Sequence, residues 1–235
     1  ELSKGLALLT SKGLADVSDV RVREQLRLKH PERKAGLPGE LDQLGEFVRA
    51  CVDLRATIRG LKDHAGTGVS GYRNEYLKAL TTQFADARAQ AVTPLLSTFA
   101  TAYVNAELPA WFYYAWTAVK AMAPIKRPSE VPDIRPIGVG ECFRRVIDSA
   151  AVAQHKAALR DHPWPQQVAL GVPAGMSVLI FGVRLWLEVS PQHVAVRLDL
   201  RNAFNEVTRA ALVERMAATR HLRTLVPVLW ATRRP

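Results

Sequence analysis

Asp199 is the residue of this chain whose type and setting point most directly to chemistry. It lies in residues 193–207, where Val194, Val196, Leu198 and Leu200 alternate with Ala195, Arg197 and Asp199. That period of two predicts a strand with one apolar and one charged face, so the carboxylate points away from the valines. A polar turn, Arg201-Asn202-Ala203, leads to Phe204, and Thr208 suits the N-cap of a following helix. An acid near the end of a strand, followed by a turn of backbone amides, is a setting for a divalent metal and the phosphates that metal neutralises. Two upstream cations fit the same chemistry. A strand over 117–125 runs into Lys126-Arg127, a Pro-rich link covers 128–132, and a second strand carries Arg135. This predicts a hairpin near 117–139 with Lys126 and Arg135 close to its tip or on one face, where a triphosphate is gripped.

The elements that position these residues are mostly helical. Helical segments are expected over about 41–61, over 73–80 after the Gly-rich loop Gly66-Thr67-Gly68-Val69-Ser70-Gly71, and over the amphipathic run 88–107. Further helices are expected over 141–160, where Phe143, Val146, Ile147, Ala150, Ala151 and Gln154 recur at helical spacing, over 176–189, and over 208–219. The aromatic run Trp111-Phe112-Tyr113-Tyr114-Ala115-Trp116 reads as packing beside a strand more readily than as a base-stacking surface. The Gly-rich loop lacks the Gly-Lys-Ser/Thr ending of a P-loop and the spacing of a dinucleotide fingerprint. Ser177 lacks the second glycine of a nucleophile elbow, and no triad is in view, so a hydrolase finds no support.

Composition sets the partners. Of 235 residues, 32 are Lys or Arg and 22 Asp or Glu, a formal charge of +10 that favours an anionic partner, nucleic acid first. The cluster Arg21, Arg23, Arg27, Lys29, Arg33 and Lys34 reads either as a phosphate-backbone contact or as a solvated helix face. Cys51 and Cys142 have no metal-ligand spacing and no disulfide framework, which fits a reducing compartment. Neither of the two long uncharged runs reads as a membrane span. With Glu first and Thr232-Arg233-Arg234-Pro235 last, a fragment is expected.

Several stretches, taken in order, resemble the reverse transcriptase domain of non-LTR, LINE-like retrotransposons, truncated after its motif A. Gly68-Val69-Ser70-Gly71 with Glu75 to Lys78 resembles the family's opening element, and Ile134-Arg135-Pro136-Ile137 followed by Arg144-Arg145 its second motif. Gln167 with Gly171-Val172-Pro173 is similar to its Gln-x-Gly element, and residues 198–207 are similar to motif A. The similarity spans roughly residues 65–230. It implies a mixed, helix-rich α/β fold: a basic helical extension over 1–64, a fingers region over 65–190 and the start of a palm over 191–235.

The resemblance further implies an RNA-directed DNA polymerase, with Asp199 as a metal-binding catalytic carboxylate and the Leu200 carbonyl as a second contact to metal. Asn202 and Ala203 would present amides to the incoming deoxynucleotide, and Phe204 would exclude a 2′-hydroxyl by bulk. Lys126 and Arg135 would neutralise the β- and γ-phosphates, while Arg144, Arg145 and Gln167 would contact nucleic acid. The implied cofactors are two Mg²⁺ (or Mn²⁺) ions about 3.5–4 Å apart. The implied partners are an RNA template, a DNA primer and deoxynucleoside triphosphates, without a membrane, at an intracellular location, nuclear in a eukaryotic host. The family's paired-aspartate turn and thumb do not occur in these residues, so the isolated chain is expected to be inactive. The competing expectation is a non-catalytic, basic RNA- or DNA-binding remnant or accessory protein.

Overall fold

The computed structural model describes residues 12–30, 41–83, 87–200 and 203–232. Arg33, Lys34, Arg201, Asn202 and the side chain of Phe204 lie outside the described residues. The fold is helix-dominant and mixed, with two small antiparallel sheets of two strands each.

Its central helix, α4 (Ala87–Val104), runs past Pro94 and sits in the main core through Ala100, Tyr103 and Val104. The polar row on α4 is not a solvent face along its whole length. Ser97 and Thr101 accept hydrogen bonds from the backbone N–H groups of Leu54 (3.3 Å) and Val52 (3.0 Å). Asn105 accepts from the Ala50 N–H (2.8 Å) and donates to the Ala50 carbonyl (2.9 Å). Residues spaced four apart on a helix thus serve as a docking edge for an extended chain. In consequence 45–54 is not the helix expected over 41–61. Ala50, Val52 and Leu54 are buried while Cys51 and Asp53 are exposed, an alternation of extended backbone, and within 41–61 the helical residues are a 3₁₀ turn, Asp42–Leu44, and α2 (Arg55–Arg59).

Against α4 pack α3 (Asn74–Lys78), α5 (Ala110–Trp116), α6 (Cys142–Gln154) and α11 (Val226–Ala231). The aromatic run belongs to α5 and is mostly packing. Phe112 and Trp116 stack at 5.0 Å, both meet Phe99 edge-on, and Trp116 meets Phe143 edge-on, while Tyr113 stacks on Tyr103 and donates to its carbonyl (2.9 Å). Trp111 and Tyr114 remain exposed. The long helix expected over 141–160 is interrupted at His155, after which α7 (Lys156–Asp161) continues.

An antiparallel hairpin is present, but Arg135 is not carried in a strand as expected: it falls in the break between the two sheets, beside Pro136, which has no N–H to give a ladder. β1 (Val119–Met122) pairs with β4 (Ile137–Gly140), and β2 (Ile125–Arg127) with β3 (Asp133–Ile134). Beneath it lies a small second core, in which Ile134 and Ala123 meet Val22 of α1 (Val20–Leu28) and Ala15. Residues 13–15 add a short third edge through Ala15 N–H to Ala123 O and Ile125 N–H to Gly13 O.

The strand expected over 194–200 is not formed. α8 (Gly175–Val189) is helical as expected, but the residues after it pair with no strand among the described residues. Val194, Val196, Leu198 and Leu200 are 79%, 75%, 82% and 74% exposed. A period of two marks what a chain can do when a neighbour supplies its ladder, and the described residues supply none here. Beyond it, α9 (Ala203–Glu206) and α10 (Arg209–Ala218) follow, the latter capped by the Thr208 hydroxyl as expected. No helix among the described residues is long and apolar enough to cross a membrane.

Candidate functional site

The hairpin sets the cations. Ile125 faces Ile134 and Arg127 faces Asp133, so the register slips at Lys126, which occupies a bulge. A bulge re-aims the side chain it carries. Ile134 is buried and pins one face to the second core, while Lys126, Arg127 and Arg135 are exposed. The backbone of Arg135 is held by Pro124 (N–H to O, 2.8 Å), and the Lys126 carbonyl accepts from Lys12 Nζ (2.9 Å). The result is a backbone-anchored ribbon with exposed cationic side chains.

Lys29, just past the end of α1, joins this ribbon to the segment after Asp199. Its ammonium donates to the Asp133 carboxylate (2.6 Å) and to the Ile134 carbonyl (2.6 Å), adjacent to Arg135. Its carbonyl accepts from the Asn205 side-chain amide of α9 (2.8 Å). The Lys29 hydrogen bond holds the Asp133 carboxyl below its ordinary value against a smaller upward push from burial, with Lys126 and Arg127 adding to the lowering. One residue therefore holds the strand leading to Arg135 on one side and the helix beginning at Ala203 on the other. Sequence reasoning missed this function of Lys29, which appeared only as one of six cations in a basic run.

Asp199 itself is exposed, in the irregular segment that follows α8. Leu200 is exposed, and Ala203, half-buried, opens α9. Among the described residues, no hydrogen bond or ion pair joins Asp199 to Arg135 or Lys126, and no three His, Cys, Asp or Glu side chains gather as metal ligands. One carboxylate and one carbonyl fall short of the donor set that two ions about 3.5–4 Å apart require.

The Gly-rich loop does hold an anion, and it is the chain's own. Ser70 donates from both N–H (2.8 Å) and hydroxyl (2.5 Å) to the Glu141 carboxylate, which precedes α6. Burial pushes the Glu141 carboxyl up, but Ser70, the Val69 amide and Arg145 together bring it below its usual value. Arg145 donates to the Gly66 carbonyl (2.6 Å), and Arg144 to the Thr117 carbonyl (3.3 Å) while lying 3.5 Å from Asp148. Both arginines thus fasten α6 to neighbouring segments. Gln167 is exposed and its side-chain oxygen accepts from the Ala169 N–H (2.8 Å), shaping the turn that precedes Gly171.

Arg144 also borders a cavity of about 300 Å³, lined by Tyr103, Asp148, Val152, Met216 and Leu225 among others. The Tyr103 ring is fully buried and its hydroxyl lies beside the Arg144 guanidinium without reaching good hydrogen-bond geometry. Burial pushes that phenol well above its ordinary value, with Asp148 adding and Arg144 opposing. A buried hydroxyl without a partner costs free energy that a phenyl ring does not. Tyr103→Phe is accordingly expected to leave stability unchanged or raise it by about 1 kcal/mol in urea unfolding. A loss of similar size would show that the hydroxyl is bonded after all.

No family model matches the chain, and comparison with curated proteins and with solved structures likewise finds no match.

Proposed function

We propose that this chain is part of an RNA-directed DNA polymerase, carrying the nucleotide-gripping hairpin of a fingers region and the acid-bearing start of a palm. The observation that supports this reading best is the Lys29 junction, which ties the strand before Arg135 to the helix after Asp199 through bonds of 2.6–2.8 Å. Two stretches about 70 residues apart in sequence, each suggestive of phosphate chemistry, are held by the same residue. In this reading Arg135, helped by Lys126, neutralises the terminal phosphates. Ala203 and Asn202 present amides to them, and Phe204 lies against the sugar. Asp199 and the Leu200 carbonyl contribute to a Mg²⁺ or Mn²⁺ centre whose other ligands come from outside the described residues. Arg144, Arg145 and Gln167 then lie toward the template–primer duplex, and the charge of +10 favours that polyanion.

The test is photo-cross-linking of a reactive deoxynucleoside triphosphate to the chain bound to an RNA template and DNA primer. Label is expected on the 126–135 ribbon or on 199–205. Arg135→Ala should cut it by about tenfold, the size of one charge-assisted phosphate contact, with duplex binding kept. Lys29→Met should lower labelling in the same way by releasing the junction. Duplex binding with steep salt dependence but no nucleotide labelling would overturn the polymerase reading in favour of a non-catalytic nucleic-acid binder.

A further inference from the structure

The segment 194–200 has no regular secondary structure, is exposed and has no ladder partner among the described residues, yet its sequence carries a strict apolar alternation that a strand would use. Just before it, α8 is apolar over most of its surface, with Met176, Ile180, Phe181 and Leu185 each more than half exposed. The two are connected at the turn between them, where the Trp186 and His193 rings lie 4.8 Å apart. An unpaired backbone row flanked by apolar surface is a template for strand addition.

The charges on the segment select the partner. We propose that 194–200 pairs antiparallel with the same segment of a second copy of this chain, about a two-fold axis at Leu198. In that register Arg197 of each copy faces Asp199 of the other, and Val196 faces Leu200, so both ion pairs and the apolar face are satisfied at once. The neighbouring registers fail. Centring the pair between two residues puts one copy's apolar row opposite the other's polar row. Centring on Arg197 sets that arginine against itself, and centring on Asp199 sets two carboxylates together. Centring on Val196 leaves Arg197 opposite Ala195, and centring on Leu200 runs Arg197 onto Ala203, where α9 begins. Two strands alone are marginal, and the apolar α8 of each copy supplies the cover that such a pair needs. While paired, Asp199 is occupied by Arg197 of the second copy, so self-association and nucleotide work draw on the same carboxylate.

The test is sedimentation of the chain from about 1 to about 100 µM, a range that brackets micromolar affinity. The wild type is expected to pass from monomer to dimer. Arg197→Asp or Asp199→Arg alone should weaken the dimer at least about tenfold, and the two together should restore it to within about threefold, because the swap recreates both pairs. In a Cys51→Ser background, Leu198→Cys should form a dimer disulfide on oxidation. Val194→Cys should not, because the register separates the two copies of that position by about 27 Å. A monomer throughout, a dimer indifferent to the charge swaps, or equal cross-linking at both positions would overturn the pairing. Nucleotide labelling read at concentrations where the chain is monomeric is untouched by these outcomes, so the two proposals fail separately.

Discussion

Gly68→Ala is expected to lower the stability of the chain by about 3 kcal/mol, a fall of about 6–12 °C in melting temperature for a chain of this size. A Cβ built at Gly68 would lie 2.7 Å from the Glu141 Cα and 2.9 Å from its nitrogen, contacts with backbone that no rotamer change relieves. The loop must then retreat, and Ser70 loses its grip on the Glu141 carboxylate. Gly71 makes the control. Its φ of +74° disfavours alanine, but nothing lies within 4 Å of its Cβ position, so Gly71→Ala should cost only about 1 kcal/mol. The pH dependence separates the two further. The folded-state Glu141 carboxyl lies below its ordinary value, so its stabilisation is complete above about pH 4.3 and is lost as pH falls through the lowered folded value. In Gly68→Ala this part of the acid limb should disappear, while Gly71→Ala should keep it.

Asn105→Ala should cost a similar amount, about 2–5 kcal/mol, because it strips both the N–H and the carbonyl of buried Ala50 of their partners. Asn105→Asp keeps the acceptor for the Ala50 N–H and loses the donor, so it should fall between. Chemical unfolding gives the magnitudes. Hydrogen exchange locates them: the amides of Ala50, Val52 and Leu54 are held by α4 side chains and should be protected in the wild type, then exchange faster together in Asn105→Ala. Exchange rates unchanged at Val52 and Leu54 would show that each rung holds independently.

Local pattern was enough for elements whose partners are near in sequence. The hairpin around 128–132, the helix opened by Thr208 and the helix over 175–189 were each legible, because a turn, a cap or a periodic stripe is a property of adjacent residues. Segment 45–54 was misread because Val48, Cys51 and Val52 mimic helical spacing, while the groups that keep the chain extended lie on α4, about fifty residues away. The strand over 194–200 failed for the complementary reason: alternation records a face, not a neighbour. The candidate residues divide in the same way. Arg135 and Asp199 stand out by their local settings. Arg144 and Arg145, expected to contact nucleic acid, are fastened to carbonyls of Thr117 and Gly66, and no local rule shows such distant acceptors. Lys29 was invisible as a junction because Asp133, Ile134 and Asn205 all lie more than a hundred residues downstream of it.

The junction at Lys29 also changes what counts as dispensable. Every side chain named here for nucleotide chemistry lies beyond residue 120, so a shorter protein begun after His30 would keep them all. It would lack the Lys29 bonds that join the β2–β3 ribbon to α9, and on the reading proposed above its groups would sit on two parts free to drift apart.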